Sequence, residues 1–102
     1  YERFDGKGYE GLVRHGEPLY RSNPEHWREI TRLCVREAAD VGRRFNRPLV
    51  TTECWGIVDY KDWPGLSWDW VKDLCAVGVE TACASGQWAM VATSNFCGPQ
   101  FR

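Results

Sequence analysis

The stretch Pro48-Leu49-Val50-Thr51-Thr52-Glu53-Cys54-Trp55-Gly56 decides how this chain is interpreted. Its first half, Leu49 to Thr52, is typical of a buried β-strand. A carboxylate at the end of such a strand is costly unless it is paired or used. Glu53 is that carboxylate, and Trp55 follows two residues later. The stretch therefore predicts a strand over residues 49–55 that ends in a functional or ion-paired glutamate.

A helix is predicted before this strand. Asn23 is a suitable N-cap and Pro24 suits the first helical position. The end is expected at Gly42 or in the segment before Pro48, near Arg47. Apolar residues recur at spacings of three and four and predict the buried face: Trp27, Ile30, Cys34, Ala38 and Val41. Residues 1–22 contain several glycines and no sustained period, so they are predicted to form a loop.

A second helix is predicted after the strand. Ser67 is a candidate cap, and Gly78 is expected to end the helix. The sequence VETACAS, over residues 79–85, then adds a short helical turn, and a second apolar strand follows over residues 88–94.

The predicted order of loop, helix, strand, helix and strand contains one βαβ unit, which implies parallel strands. Two strands do not make a stable sheet, and parallel sheets are covered by helices or closed into a barrel. The sequence therefore predicts a piece of a larger parallel α/β protein that continues beyond both ends of this chain.

Composition narrows the class of protein. The 102 residues are 43% hydrophobic with a formal net charge of -1, which argues against nucleic-acid and membrane partners. The 5 cysteines form no CxxC pair and show no metal-ligand spacing, so no cofactor is expected and a reduced, cytoplasmic setting is weakly favoured. The 6 tryptophans, four of them between Trp55 and Trp70, suit either core packing or stacking on sugar rings.

Polar residues gather at the carboxyl ends of both predicted strands. They are Thr52 and Glu53 on the first strand, and Thr93, Ser94 and Asn95 on the second. In (β/α)8 barrels the active site lies at this end of the strands. Strict alternation would turn Leu49, Thr51 and Glu53 towards the barrel axis and Val50, Thr52 and Cys54 towards the helices.

The stretch Pro48–Gly56 resembles strand seven of the clan A glycoside hydrolases, the cellulase-like (β/α)8 barrels, and is closest to their sugar-binding cellulase-like group. WDWVKDLCAVGVE then resembles helix seven, and QWAMVATSNFCGPQF resembles strand eight with its loop. The resemblance covers residues 23–102, and residues 1–22 correspond to the loop after strand six. It implies one partial domain over residues 1–102: the C-terminal part of a TIM barrel, with helix 6, strand 7, helix 7 and strand 8.

In that family the strand-seven glutamate is the nucleophile of a retaining glycosidase, which implies that role for Glu53. The acid/base comes from strand four, upstream of Tyr1, so the chain alone is expected to be inactive and to need the N-terminal part of the barrel. The resemblance also implies a carbohydrate substrate and these contacts to it: Trp55, Trp63, Ser94, Asn95 and Phe96. In the same substrate-binding site, Tyr1 corresponds to the strand-six tyrosine that hydrogen-bonds the nucleophile.

Several alternatives remain open. Strand eight of this clan often ends in a tryptophan, where this sequence has Thr93-Ser94-Asn95-Phe96, so the substrate class is open. Glu53 could instead be a structural carboxylate paired with an arginine or a tryptophan N–H. The parent protein could be a non-catalytic carbohydrate-binding barrel, which the absence of an acidic residue at the end of strand four would indicate. A small non-enzymatic α/β interaction domain is a third reading, but it leaves the parallel strands without partners.

Overall fold

The computed structural model describes residues 6–55 and 65–93 of the chain. Four α-helices and two strands fill these ranges: α1 (Gly6–Gly11), α2 (Glu17–Ser22), α3 (Pro24–Arg44), β1 (Leu49–Cys54), α4 (Asp69–Ser85) and β2 (Trp88–Thr93). A π-helical segment, Leu12–Gly16, joins α1 to α2. The two strands pair in parallel, as the βαβ pattern predicts, so the described residues form a mixed α/β structure.

Helix α3 begins where the sequence predicts. The side chain of Asn23 accepts a hydrogen bond from the His26 amide at 3.3 Å, and Pro24 is the first helical residue. The helix runs past Gly42 to Arg44, and the Arg47 amide then donates to the Gly42 carbonyl at 2.9 Å. Gly42 therefore does not end the helix. It lies where α3 comes close to β1, since a Cβ there would be 3.0 Å from the Leu49 side chain.

The buried face of α3 differs from the predicted one. Val35, Ala39 and Gly42 are buried, whereas Ile30, Cys34 and Val41, which the periodicity placed inside, are exposed. The reason is that α3 packs against α4 through an adjacent stripe of its surface. Within the stripe predicted from the sequence, Trp27 and Ala38 are only partly buried.

The prediction that Gly78 ends the second helix is wrong. Helix α4 continues to Ser85 and ends at Gly86, whose positive φ of 64° suits glycine. The segment predicted as a separate turn, residues 79–85, forms the last turns of α4. At the other end the Asp69 amide donates to the Ser67 hydroxyl at 3.2 Å, which places the start of α4 beside the predicted cap.

The prediction that residues 1–22 form a loop is also wrong for the described part, because residues 6–22 are helical. The π-helical segment interrupts the period of 3.6 residues, so no regular apolar stripe appears in the sequence. Packing against α4 supports these turns: Gly16 lies against Leu12 and Trp70, and the ring of buried Tyr20 lies 6.0 Å from that of Trp70.

The sheet has one covered face and one open face. On the covered face, Val35 and Ala39 of α3 join Val71, Cys75 and Ala82 of α4 in the buried core. On the open face, Val50 and Met90 pair with each other and are 59% and 51% exposed. Within the described ranges, every helix is too short or too polar to span a lipid bilayer.

Candidate active site at the end of β1

Glu53 lies one residue before the end of β1, at the edge where the carboxyl ends of the parallel strands meet. Glu53 and its neighbour Thr52 are both exposed. Among the described residues, the Glu53 side chain forms no hydrogen bond or ion pair. This arrangement does not support the alternative of a carboxylate paired with an arginine in this part of the chain.

The side-chain alternation of β1 differs from the strict pattern that the sequence predicts. Thr51 is 7% exposed, and Leu49 packs near Gly42 of α3, so these two residues face the helices. Val50 lies on the open face instead. Glu53 lies two residues after Thr51, so regular alternation would place both on the same face, yet Glu53 is exposed. The strand therefore changes its alternation between Thr51 and Glu53.

The second of two register shifts in the strand pair explains this change. From the Leu49–Trp88 pair to the Val50–Met90 pair, β2 advances by one residue more than β1. From Thr51–Val91 to Cys54–Thr93, β1 advances by three residues and β2 by two. The extra residue in β1 is thus Thr52 or Glu53. Such bulges turn side chains to a new direction and are frequent next to active sites.

The hydroxyl of Thr51 bridges the two strands at the second shift. It donates to the Ala92 carbonyl at 2.9 Å and accepts from the Ala92 amide at 3.0 Å. Ala92 lies between Val91 and Thr93, the partners of Thr51 and Cys54. A side chain therefore provides hydrogen bonds between the strands at the point where the backbone register changes.

The ring of Trp55 packs beneath the strand end. It lies so close to Gly78 of α4 that a Cβ added there would be 2.7 Å from Cδ2 of the ring. It also makes an edge contact with Trp88, with the ring centroids 5.5 Å apart. The indole nitrogen of Trp88 is buried without a hydrogen-bond partner in the described part of the chain. These contacts account for Trp55 as a packing group, and its predicted contact with a sugar stays a prediction.

A mostly apolar cavity of about 280 Å³ lies between α3, α4 and Trp55. Its walls are formed by Ile30, Thr31, Cys34, Trp55, Trp70, Val71 and Leu74. This cavity belongs to the helix layer, whereas Glu53 is exposed at the strand edge. The described residues contain no group of three or more potential metal ligands.

A charged cluster that the sequence did not indicate joins α2, α3 and α4. Arg28 donates to both oxygens of Asp73, at 2.8 and 3.0 Å, and Tyr20 donates to the same carboxylate. Hydrogen bonds from Arg28 lower the pKa of Asp73 below its ordinary value. Burial, followed by the bond to Asp73, raises the pKa of Tyr20. Arg28 and Tyr20 are 45 and 53 residues away from Asp73 in the sequence, so no local sequence pattern indicates this cluster.

The remaining predicted site residues lie outside the described residues. They are Tyr1, Trp63, Ser94, Asn95 and Phe96. Their predicted contacts with a sugar stay predictions. Of the predicted site, the structure describes Glu53 and Trp55, which lie two positions apart but differ in surroundings, since one is exposed and the other is packed against α4.

The structure is similar to the crystal structure of a candidate glycoside hydrolase from Parabacteroides distasonis, with a TM-score of 0.87 and 54% sequence identity. The similarity covers 99% of this chain and 26% of that chain, so this chain spans about a quarter of the neighbour. A search of the curated proteins found no match. Fold and sequence therefore relate the chain to the glycoside hydrolases.

The family model described as sugar-binding cellulase-like matches residues 1–102. The chain belongs to this cellulase-like family. The resemblance inferred from residues 48–56 and the elements that follow them is thereby confirmed.

Proposed function

We propose that this chain is the C-terminal part of a (β/α)8 barrel in a retaining glycoside hydrolase, and that Glu53 is the nucleophile. The observation that carries the proposal is the exposed carboxylate of Glu53 at the carboxyl edge of a parallel strand pair. Functional side chains of (β/α)8 barrels are found at that edge. Membership of the cellulase-like family and the similarity to a candidate glycoside hydrolase support the same reaction class.

The surfaces of the chain support its place in a larger barrel. Val50 and Met90 leave an apolar sheet face uncovered, and α3 carries a second exposed apolar stripe with Ile30 and Val41. Further strands of the barrel would pair with the two strand edges, and further side chains would fill the space over the open face. In this proposal, the partner of the chain is the remaining part of the same barrel.

The proposed chemistry follows from the exposed carboxylate. An oxygen of Glu53 attacks the anomeric carbon while a carboxylic acid about 5–5.5 Å away protonates the departing glycosidic oxygen. The bond between the anomeric carbon and that oxygen breaks, and a glycosyl ester of Glu53 forms. Water, deprotonated by the same second carboxylate, then releases the sugar and regenerates Glu53. The second carboxyl group belongs to strand four in this proposal, so the chain alone has no turnover.

The substrate contacts are proposed from the resemblance. Trp63 and Phe96 would stack on sugar rings, and Ser94 and Asn95 would form hydrogen bonds with sugar hydroxyls. Tyr1 would donate to the nucleophile. Trp55 packs against Gly78, which favours a supporting role for its ring beneath the site over direct stacking on a sugar.

Glu53→Gln in the full-length protein tests the nucleophile. The amide keeps the shape of the side chain but cannot form the glycosyl ester, so turnover of an activated aryl glycoside should fall by several orders of magnitude. A 2-fluoro glycosyl fluoride should label the peptide that carries Glu53 in the wild type and not in the variant. Glu80→Gln, at an exposed position of α4, is the matched control and should retain full turnover. Near-normal turnover by Glu53→Gln would refute the assignment.

The family description favours one alternative, a barrel that binds carbohydrate without cleaving it. Calorimetric titration of the full-length protein with oligosaccharides distinguishes the two functions. Saturable binding with no turnover of any aryl glycoside, and no labelling by the fluorosugar, would replace the hydrolase proposal with the binding barrel.

A further inference from the structure

We infer that Thr51 is a positioning residue, whose hydroxyl keeps the Glu53 carboxylate turned out of the helix layer. The inference rests on the proposed function for its catalytic consequence. Its structural basis is independent of that function and lies in the hydrogen bonds and register of the two strands.

The first step concerns direction. Residues two apart on a regular strand point to the same face. Thr51 is 7% exposed on the helix side of the sheet, so a regular strand would turn Glu53 towards the helices as well. Glu53 is exposed because β1 contains one extra residue between Thr51 and Cys54. The direction of the carboxylate therefore depends on the bulge.

The second step concerns what holds the bulge. Ala92 is the β2 residue that faces the irregular part of β1, and both its amide and its carbonyl bond to the Thr51 hydroxyl, at 3.0 and 2.9 Å. Without that hydroxyl these two backbone groups would lose their partner at a part-buried position. Regular pairing of β1 with Ala92 would restore the lost bonds, and the restored alternation would turn Glu53 towards the helix side.

Thr51→Val tests this because valine has the shape of threonine without the hydroxyl. In the full-length protein we expect kcat for an activated aryl glycoside to fall by at least about 100-fold, since a misplacement of only about 1 Å already has that effect and turning the carboxylate moves it further. KM should change far less, because Thr51 is buried and its hydroxyl is bonded to Ala92. Thr51→Ser restores the hydroxyl and should recover most of kcat.

The control is Thr81→Val on α4, which removes a half-buried hydroxyl that donates to the Val77 carbonyl at 2.7 Å. Thr81→Val should lower the melting temperature by no more than Thr51→Val does, and it should leave kcat unchanged. If Thr51→Val and Thr81→Val have the same kcat, the Thr51 hydroxyl has no positioning role and the inference is wrong.

A second measurement does not need turnover. The thiol introduced by Glu53→Cys should react readily with N-ethylmaleimide in the folded protein, and peptide mass spectrometry separates it from the native cysteines. Adding Thr51→Val should slow this reaction at least about tenfold, because the side chain turns inwards. Equal rates would overturn the inference. If the wild type cleaves no glycoside, the proposed function fails, whereas the labelling rates still decide the role of Thr51.

Discussion

Gly78→Ala is a sharp test of how the strand end is supported. Alanine usually stabilises the interior of a helix by about 1 kcal/mol relative to glycine. Gly78 lies inside α4, so propensity alone predicts a more stable protein. The structure predicts the opposite sign, because the added Cβ would lie 2.7 Å from Cδ2 and 2.8 Å from Cγ of Trp55.

The magnitude follows from this distance. Carbon atoms pack at about 3.5 Å or more, so the ring must move by at least about 0.8 Å, from 2.7 Å. The ring is attached to the backbone at the end of β1 and contacts Trp88, so moving it disturbs both the strand end and that contact. Overpacking of this kind costs about 1–3 kcal/mol, which outweighs the propensity gain of about 1 kcal/mol, so we expect a net loss of up to about 2 kcal/mol in the free energy of unfolding.

Chemical denaturation of the full-length protein measures this change, with Gly11→Ala as the matched control. Gly11 has right-handed helical dihedral angles, and a Cβ added there meets nothing within 4 Å, so that substitution should stabilise the protein by up to about 1 kcal/mol. Combining Gly78→Ala with Trp55→Leu should remove most of the penalty, a coupling that a double-mutant cycle detects. A Gly78→Ala protein at least as stable as the wild type would refute the packing of Trp55 described above.

Two further predictions concern the ion pair and the tryptophans. Because Arg28 lowers the pKa of Asp73 below its ordinary value of 3.8, the ionised form stabilises the fold above about pH 4, and this contribution is lost as the pH falls through the lowered pKa. Asp73→Asn should therefore be less stable at neutral pH and lose less stability on acidification; parallel pH–stability curves for variant and wild type would contradict this. Trp27 and Trp55 are both half-buried, but Trp55 contacts Gly78 and Trp88 whereas Trp27 donates to the Leu19 carbonyl at the surface. Trp55→Ala should therefore cost about 3 kcal/mol or more in unfolding free energy, and Trp27→Ala roughly 2 kcal/mol. The reverse order in denaturation would argue for Trp55 as an exposed platform.

Much of the framework could be predicted from local chemistry. The start of α3 followed from Asn23 and Pro24, since capping depends on residues adjacent in the chain. The apolar runs predicted both strands to within one residue at their ends, and their order predicted the parallel pair. The motif around Glu53 indicated the cellulase-like family, which the family match confirms. It also placed this glutamate at the end of its strand.

Other features depended on contacts between residues far apart in the sequence. Gly78 looks like a helix stop, yet the ring of Trp55 needs a glycine there within a continuous helix. The helical turns of residues 6–22 rest on α4 through Tyr20, and Asp73 meets Arg28 across 45 residues. The sequence placed Glu53 on the strand, but its direction is set by a bulge that the Thr51 hydroxyl holds against Ala92 of the other strand. A period of two residues describes an isolated strand, whereas register is a property of two strands together, so only the tertiary structure could decide which way the carboxylate points.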